Sequence, residues 1–377
     1  MLQESRLTRR EALSVLGLGA AAAALPGSAA TFPKGAIIRT VLKDYAPDER
    51  AGGATLFHEH MSLASDFMTR WTRFAFETRA ASAARSGQTV PAVPGGRGGS
   101  APPAPATSGT YFMEDVGRMS DEMSAARNDG IACIVDGGHP DMGRSVDFLR
   151  QISRRSGMPI VAGAGFYAQP FYPKEIANWS EQQILDALLK QVDTDSAGAF
   201  GEIGSWDEIT EDERKVFRAV GKAHVRTNLP IFTHTGIPGK SAMEQLDLLE
   251  SAGVDPRHVA IGHLGNLVDS DVKVQKAICK RGAFVGFDRQ GGPGDAQQVP
   301  MVMALLEAGY ADNLMFSADL SSVAQTKHGG GPGYAKTLTV FLPKLKAAGA
   351  SEEALHGIMV DNPRRFLAFV PKKARNG

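Results

Sequence analysis

A rhythm constrains this chain most: eight short apolar or β-branched runs, each closing on Gly, His, Glu or Asp residues, recur along its 377 residues. They read GGATLFHEH (52–60), IACIVDGG (131–138), PIVAGAG (159–165), GAFGEIG (198–204), LPIFTHTG (229–236), HVAIGHLG (258–265), GAFVGFDRQ (282–290) and NLMFSADLS (313–321). Amphipathic stretches such as EQQILDALLKQV, EDERKVFRAVGKAHVR and SAMEQLDLLESAG separate them. Strands alternating with helices mean parallel βαβ units, because a parallel neighbour can be reached only through a crossover connection. Eight such units predict a closed (β/α)8 barrel rather than an open doubly wound sheet. No P-loop or dinucleotide fingerprint follows any run, and GGRGGS adjoins no strand.

Two segments stand outside that rhythm. Thr8-Arg9-Arg10 precedes an uncharged run from Ala12 to Leu25 and the small residues Ser28-Ala29-Ala30. This is the layout of a secretory signal over residues 1–30, shorter than the ~20 apolar residues of a membrane span. The paired arginines predict twin-arginine export to the periplasm or beyond in a bacterium, and no cysteine follows to carry a lipid anchor. The stretch 80–110, AASAARSGQTVPAVPGGRGGSAPPAPATSGT, is nearly all Ala, Gly, Pro, Ser and Thr, and is expected to be a disordered loop insertion within one domain spanning 31–377. Lys and Arg total 41 against 41 Asp and Glu, which removes the charge footprint of a nucleic-acid or membrane-surface binder. The two cysteines, Cys133 and Cys279, sit in apolar contexts that read as core.

Barrels carry their chemistry where strands end. Strand 1 ends in His58-Glu59-His60, whose period-2 geometry puts both imidazoles on one side with Glu59 opposite. Strand 4 ends in Glu202, strand 5 in His234, strand 6 in His263 and strand 8 in Asp319. A single histidine at a strand end is ordinarily a satisfied polar residue; six metal-capable side chains on one rim are not explained that way. Four imidazoles with two carboxylates suit zinc or a similar divalent ion and are too nitrogen-rich for calcium or magnesium. Six ligands exceed the tetrahedral complement of one zinc, so two ions sharing Glu202 is the economical count. His139, after strand 2, falls at the same rim and is a candidate substrate contact. His224, His258 and His356 read as structural.

In order, TLFHEH, IVAGAGFY, GEIG, THTG, IGHLG, GFDRQG and VDNPRRFL resemble the phosphotriesterase family of the amidohydrolase superfamily, closest to its lactonase-like and phosphotriesterase-related branches. The resemblance runs from about Gly52 to Phe369, outside the 80–110 insert. It implies a binuclear centre, with His58, His60 and Asp319 on a buried ion and His234 and His263 on an outer one. Glu202 stands where many relatives carry a bridging carboxylated lysine. Zinc is the expected metal, with manganese, cobalt or iron as substitutes. Tyr167 and Arg289 match positions lining the lactonase-type pocket. One departure is Ala318, where the family often has His.

The expected activity is metal-dependent hydrolysis, with Asp319 as the catalytic proton acceptor. The substrate would be a small lactone or carboxylic ester, with a phosphotriester as a side reaction. An amide or N-acyl bond is the alternative, and a metal-containing binder without turnover a more distant one. A homodimer is compatible with the resemblance.

Overall fold

A computed structural model describes residues 11, 14, 30–86, 110–236, 239, 241–267 and 271–372. The eight expected runs all form strands: β1 (Ala54–Glu59), β2 (Ile131–Asp136), β3 (Ile160–Ala164), β4 (Ala199–Ser205), β5 (Ile231–Thr235), β6 (Val259–Ile261), β7 (Phe284–Phe287) and β8 (Leu314–Phe316). Each pairs in parallel with its sequence neighbour, in the order β1 to β8, as a (β/α)8 barrel requires. At the seam between β8 and β1 the described residues show no ladder. There the His58 N–H donates to Ser317 Oγ (3.1 Å) and the Asp319 N–H to the His58 carbonyl (3.3 Å).

The helices wrap the barrel: α1 (Phe67–Ser86), α2 (Val116–Asn128), α3 (Val146–Ser156), α4 (Glu181–Asp195), α5 (Glu211–Thr227), α6 (Ala242–Ser251), α7 (Lys273–Lys280) and α8 (Asp295–Glu307). Local chemistry fixes their starts. Ser180 with Gln183, and Thr210 with Glu213, form reciprocal capping boxes, while Ser145 and Asp115 cap α3 and α2. The first residues of the 80–110 segment are a correction: 80–86 complete α1, because Ala-rich sequence costs little to hold helical once Trp71 and Ala75 are buried. Residues 87–109 lie outside the described residues, as does the expected export segment apart from Glu11, Ser14 and Ala30. No helix of the described residues is long and apolar enough to cross a membrane.

Two apolar layers hold the fold. One, with Leu56, Ile134, Ile160, Phe200 and Ile231, fills the space between sheet and helices. The other, with Phe57, Cys133, Val135, Val161, Ala199, Phe232 and Met315, fills the barrel interior. Both cysteines are free and buried. Strict alternation would put Phe57 and His58 on opposite faces, yet both rings reach the interior, where Phe232 lies 6.5 Å from one and 5.3 Å from the other. A register irregularity between Leu56 and Glu59 shifts the phase, and β4 carries another between Phe200 and Ile203, spanning Glu202. Bulges of this kind re-aim side chains at barrel rims.

Candidate metal centre and substrate cleft

The irregularities deliver His58, His60 and Glu202 to one point at the C-terminal mouth of the barrel. Glu202 Oε1 lies 3.1 Å from His60 Nε2, while Oε2 lies 3.1 Å from His58 Nε2, 2.9 Å from His234 Nδ1 and 3.5 Å from His263 Nε2. Asp319 Oδ1 approaches His60 Nε2 at 3.3 Å. The six residues expected to gather at the rim are therefore gathered, all of them buried. Ligand atoms of His58, His60 and Asp319 lie within 4.8 Å of one another, as do those of His58, Glu202 and His263. Gly137 makes room for the histidines: a Cβ there would sit 3.1 Å from the His58 ring and 3.3 Å from that of His60.

Asp288, which sequence reasoning passed over in favour of its neighbour Arg289, organises two of the imidazoles. Its Oδ2 lies 2.9 Å from His58 Nδ1 and its Oδ1 2.8 Å from His263 Nδ1. Burial alone would raise its carboxyl, but His263 and His58 outweigh burial and hold it well below the usual range. An ionised carboxylate only accepts, so both Nδ1 atoms donate to it and both Nε2 atoms are left facing Glu202. The signal was present in the sequence as an acid at a strand exit, between one strand ending in His263 and another ending in Asp319.

The ring nitrogens around Glu202 test whether a cation fits. His263 Nε2 stands 2.8 Å from His234 Nδ1, and burial together with the charge of His263 pushes the His234 imidazole down to about 4. A neutral His234 has one N–H for the three acceptors or donors crowded at its Nδ1, and among the described residues the buried His58 Nε2 and His60 Nδ1 have no hydrogen-bond partner. Four nitrogens and two carboxylates arranged in this way fit divalent metal ions.

Glu59, on the opposite side of β1 from His58 and His60, closes the seam. Its carboxylate accepts from Ser317 Oγ (2.8 Å) and from the N–H groups of Ala318 (2.7 Å) and Leu320 (2.9 Å). Burial pushes its carboxyl up to about 7 against those donors and Lys336. Ala318 is buried and contributes its backbone to this clasp. Tyr334 anchors the loop after β8 by donating from its hydroxyl to the His60 carbonyl (2.6 Å).

Tyr167 and Arg289 both line the cleft over the cluster, with Phe67, Met68 and Trp71 of α1. Trp71 Nε1 donates to the Tyr167 hydroxyl (2.7 Å), whose oxygen lies 3.0 Å from His234 Nδ1. Arg289 donates from Nε to Asp319 Oδ2 (2.9 Å). Burial would raise the Asp319 carboxyl, but Arg289 and the surrounding histidines hold it well below its usual value. His139 departs from expectation. It is wholly buried, 3.4 Å from Asp141, and does not line this cleft. The turn through Pro140–Met142 folds it inward, its carbonyl accepting from the Met142 and Arg144 N–H groups.

With this geometry in view, the sequence pattern of the phosphotriesterase family matches residues 44–367. The chain belongs to the phosphotriesterase family. The phosphotriesterase homology protein of Escherichia coli (strain K12) is 32% identical over 256 residues, covering 65% of this chain and 87% of that protein. A crystal structure of the phosphotriesterase homology protein from Escherichia coli, with phosphate in its active site, superposes with a TM-score of 0.68 at 26% identity, covering 86% of this chain and 100% of that one. An N-acetyltaurine hydrolase of Danio rerio is 24% identical over 364 residues, covering 88% of this chain and 98% of that protein. A lactonase from Listeria monocytogenes shares the fold, with a TM-score of 0.70 at 24% identity over 88% of this chain and 98% of that one.

Proposed function

We propose that this member of the phosphotriesterase family is a metal-dependent hydrolase of small carboxylic esters or lactones. The observation that carries the reading is the convergence of His58, His60, His234, His263 and Asp319 around Glu202, beneath a cleft lined by Tyr167 and Arg289. Two divalent ions held by these ligands would supply a nucleophile at neutral pH and a Lewis acid for the carbonyl oxygen.

The chain's own groups supply the rest. Asp319, kept ionised by Arg289 and aimed by it, accepts the nucleophile's proton and returns it to the leaving oxygen. Burial drives the Tyr167 hydroxyl well above its usual value, so it stays protonated. With Trp71 donating to its oxygen, its own hydrogen, within reach of His234 Nδ1 (3.0 Å), can turn to a substrate oxygen beside that ring. Arg289 closes that side of the cleft, its guanidinium 5.8 Å from the Trp71 ring centroid.

The relationship to the N-acetyltaurine hydrolase favours a second reading, an N-acyl amide as substrate. Attack at the acyl carbon is common to both, but an amine must be protonated as it leaves, which places more demand on Asp319. Turnover of a γ-lactone, an aryl ester, an N-acyl amide and a phosphotriester, each with and without chelator, tests the proposal. Chelator-sensitive hydrolysis fastest on the lactone or ester is the expected result; amide preference selects the second reading. No chelator-sensitive turnover on any of them overturns both.

A further inference from the structure

Helix α1 carries a buried charge that the proposed chemistry does not use. Phe67, Met68 and Trp71 line the cleft, and the same ridge continues at four-residue spacing through Ala75 to Arg79, each buried. Arg79 lies close enough to Arg289 of the cleft and to Asp207, the residue after Trp206, for each to act on its charge. Its Nη1 and Nη2 atoms are buried and make no hydrogen bond among the described residues, although only 7% of the residue is exposed.

The surroundings are rich in donors. Trp206, at the exit of β4, stacks 6.1 Å from His234 and packs edge-on against Trp71 (5.9 Å) and Phe74 (5.2 Å) of α1; its Nε1–H is also buried, without a partner among the described residues. The charged neighbours that act on Arg79 are Arg289, which opposes its charge, and Asp207, which favours it; burial and Arg289 prevail and lower its affinity for the proton. Arg289 is itself engaged with Asp319. A guanidinium left unpaired in a dry site is costly, and a ligand that supplies acceptor oxygens removes the cost.

We infer that Arg79 and the Trp206 indole N–H form a subsite for an anionic oxyacid group, a carboxylate or sulfonate, carried at the end of the substrate remote from the scissile bond. Trp206 links the two regions: its ring packs on the metal-side His234 and on Trp71 and Phe74 of the helix that carries Arg79. The inference rests on the hydrolase reading for what lies at the other end of the cleft, but its own evidence is the buried donor pair.

The test measures binding by titration calorimetry, with three probes that differ only in their terminal group: N-acetyl-β-alanine (carboxylate), N-acetyltaurine (sulfonate) and N-acetylethanolamine (hydroxyl). Metal-reconstituted wild-type protein should bind at least one anionic probe about tenfold or more tighter than the neutral one. Whichever anion binds tighter identifies the oxyacid. Arg79→Met should bring the anion-to-neutral ratio close to one, Arg79→Lys should restore part of it, and Trp206→Phe should lower it. Because the readout is a ratio within each protein, partial misfolding lowers all affinities together and leaves the ratio. No charge preference in the wild type, or one that survives in Arg79→Met, overturns the subsite. If the preference depends on Arg79 but no probe is hydrolysed, the subsite stands and amide hydrolysis fails; hydrolysis without charge preference gives the converse.

Discussion

Asp288 holds His263 twice, by its ring Nδ1 (2.8 Å) and by its backbone N–H (3.0 Å). The second bond matters because His263 adopts φ +61°, a left-handed conformation that side chains other than glycine rarely take and that costs of the order of 1–3 kcal/mol. Asp319 shares the feature at φ +46°, tied through its N–H to the His58 carbonyl (3.3 Å). Two of the proposed ligands are thus set in strained backbone, and neighbouring groups maintain it.

Replacing Asp288 by Asn tests that arrangement. An amide oxygen can still accept from one ring, but its NH2 meets the other Nδ1–H, so one imidazole loses its orientation. We expect metal affinity to fall about 10–100-fold, as for other outer-shell carboxylates, measured by competition with a chromophoric chelator. Wild-type affinity in this variant would mean that Asp288 does not orient the ligands.

Glu202→Ala addresses the shared carboxylate. Glu202 lies within 3.5 Å of all four imidazoles, so its loss should deplete metal from both positions, read as metal per chain after gel filtration. Retention of two ions would show that Glu202 does not bridge them.

At the barrel seam, Glu59→Gln replaces an acceptor of three donors by a group that must present its own N–H to one of them. At pH 8, where Glu59 is ionised, we expect a loss of about 1–3 kcal/mol in urea denaturation. An unchanged midpoint would place the closure elsewhere.

His224 gives a pH dependence. Its Nδ1 donates to the Leu229 carbonyl (2.7 Å), its ring lies 5.2 Å from His258, and burial first, then His258 and Lys372, lower its affinity for the proton below the ordinary 6.5, against Leu229 and Asp255. His258 is likewise lowered, by burial and Arg257 against Asp255. The unfolded chain therefore takes up protons that the folded one refuses. The stabilisation is present above about pH 6.5 and is lost as pH falls below it. Urea midpoints should drop between pH 7 and 5.5 in the wild type and drop less in His224→Gln. Equal drops would exclude His224 as a source.

The barrel and its rim were legible because strand period and residue type are local properties: His58, His60, Glu202, His234, His263 and Asp319 each end a strand-like run. What escaped depends on tertiary placement. Nothing in FHEH announces the register irregularity that turns both Phe57 and His58 inward. His139 sits at the expected rim in sequence, but the turn after it decides which way the ring faces. Trp71 and Arg79 lie before a low-complexity stretch, away from any strand exit, so only the packing of α1 over the cleft gives them roles.

The most direct test of the account is a crystal structure of the metal-loaded protein with anomalous data collected at the metal edge. The account predicts two peaks, one among His58, His60 and Asp319 and one beside His234 and His263, with Glu202 reaching both. A rim without anomalous signal in metal-saturated crystals, or ions bound away from Glu202, would contradict it.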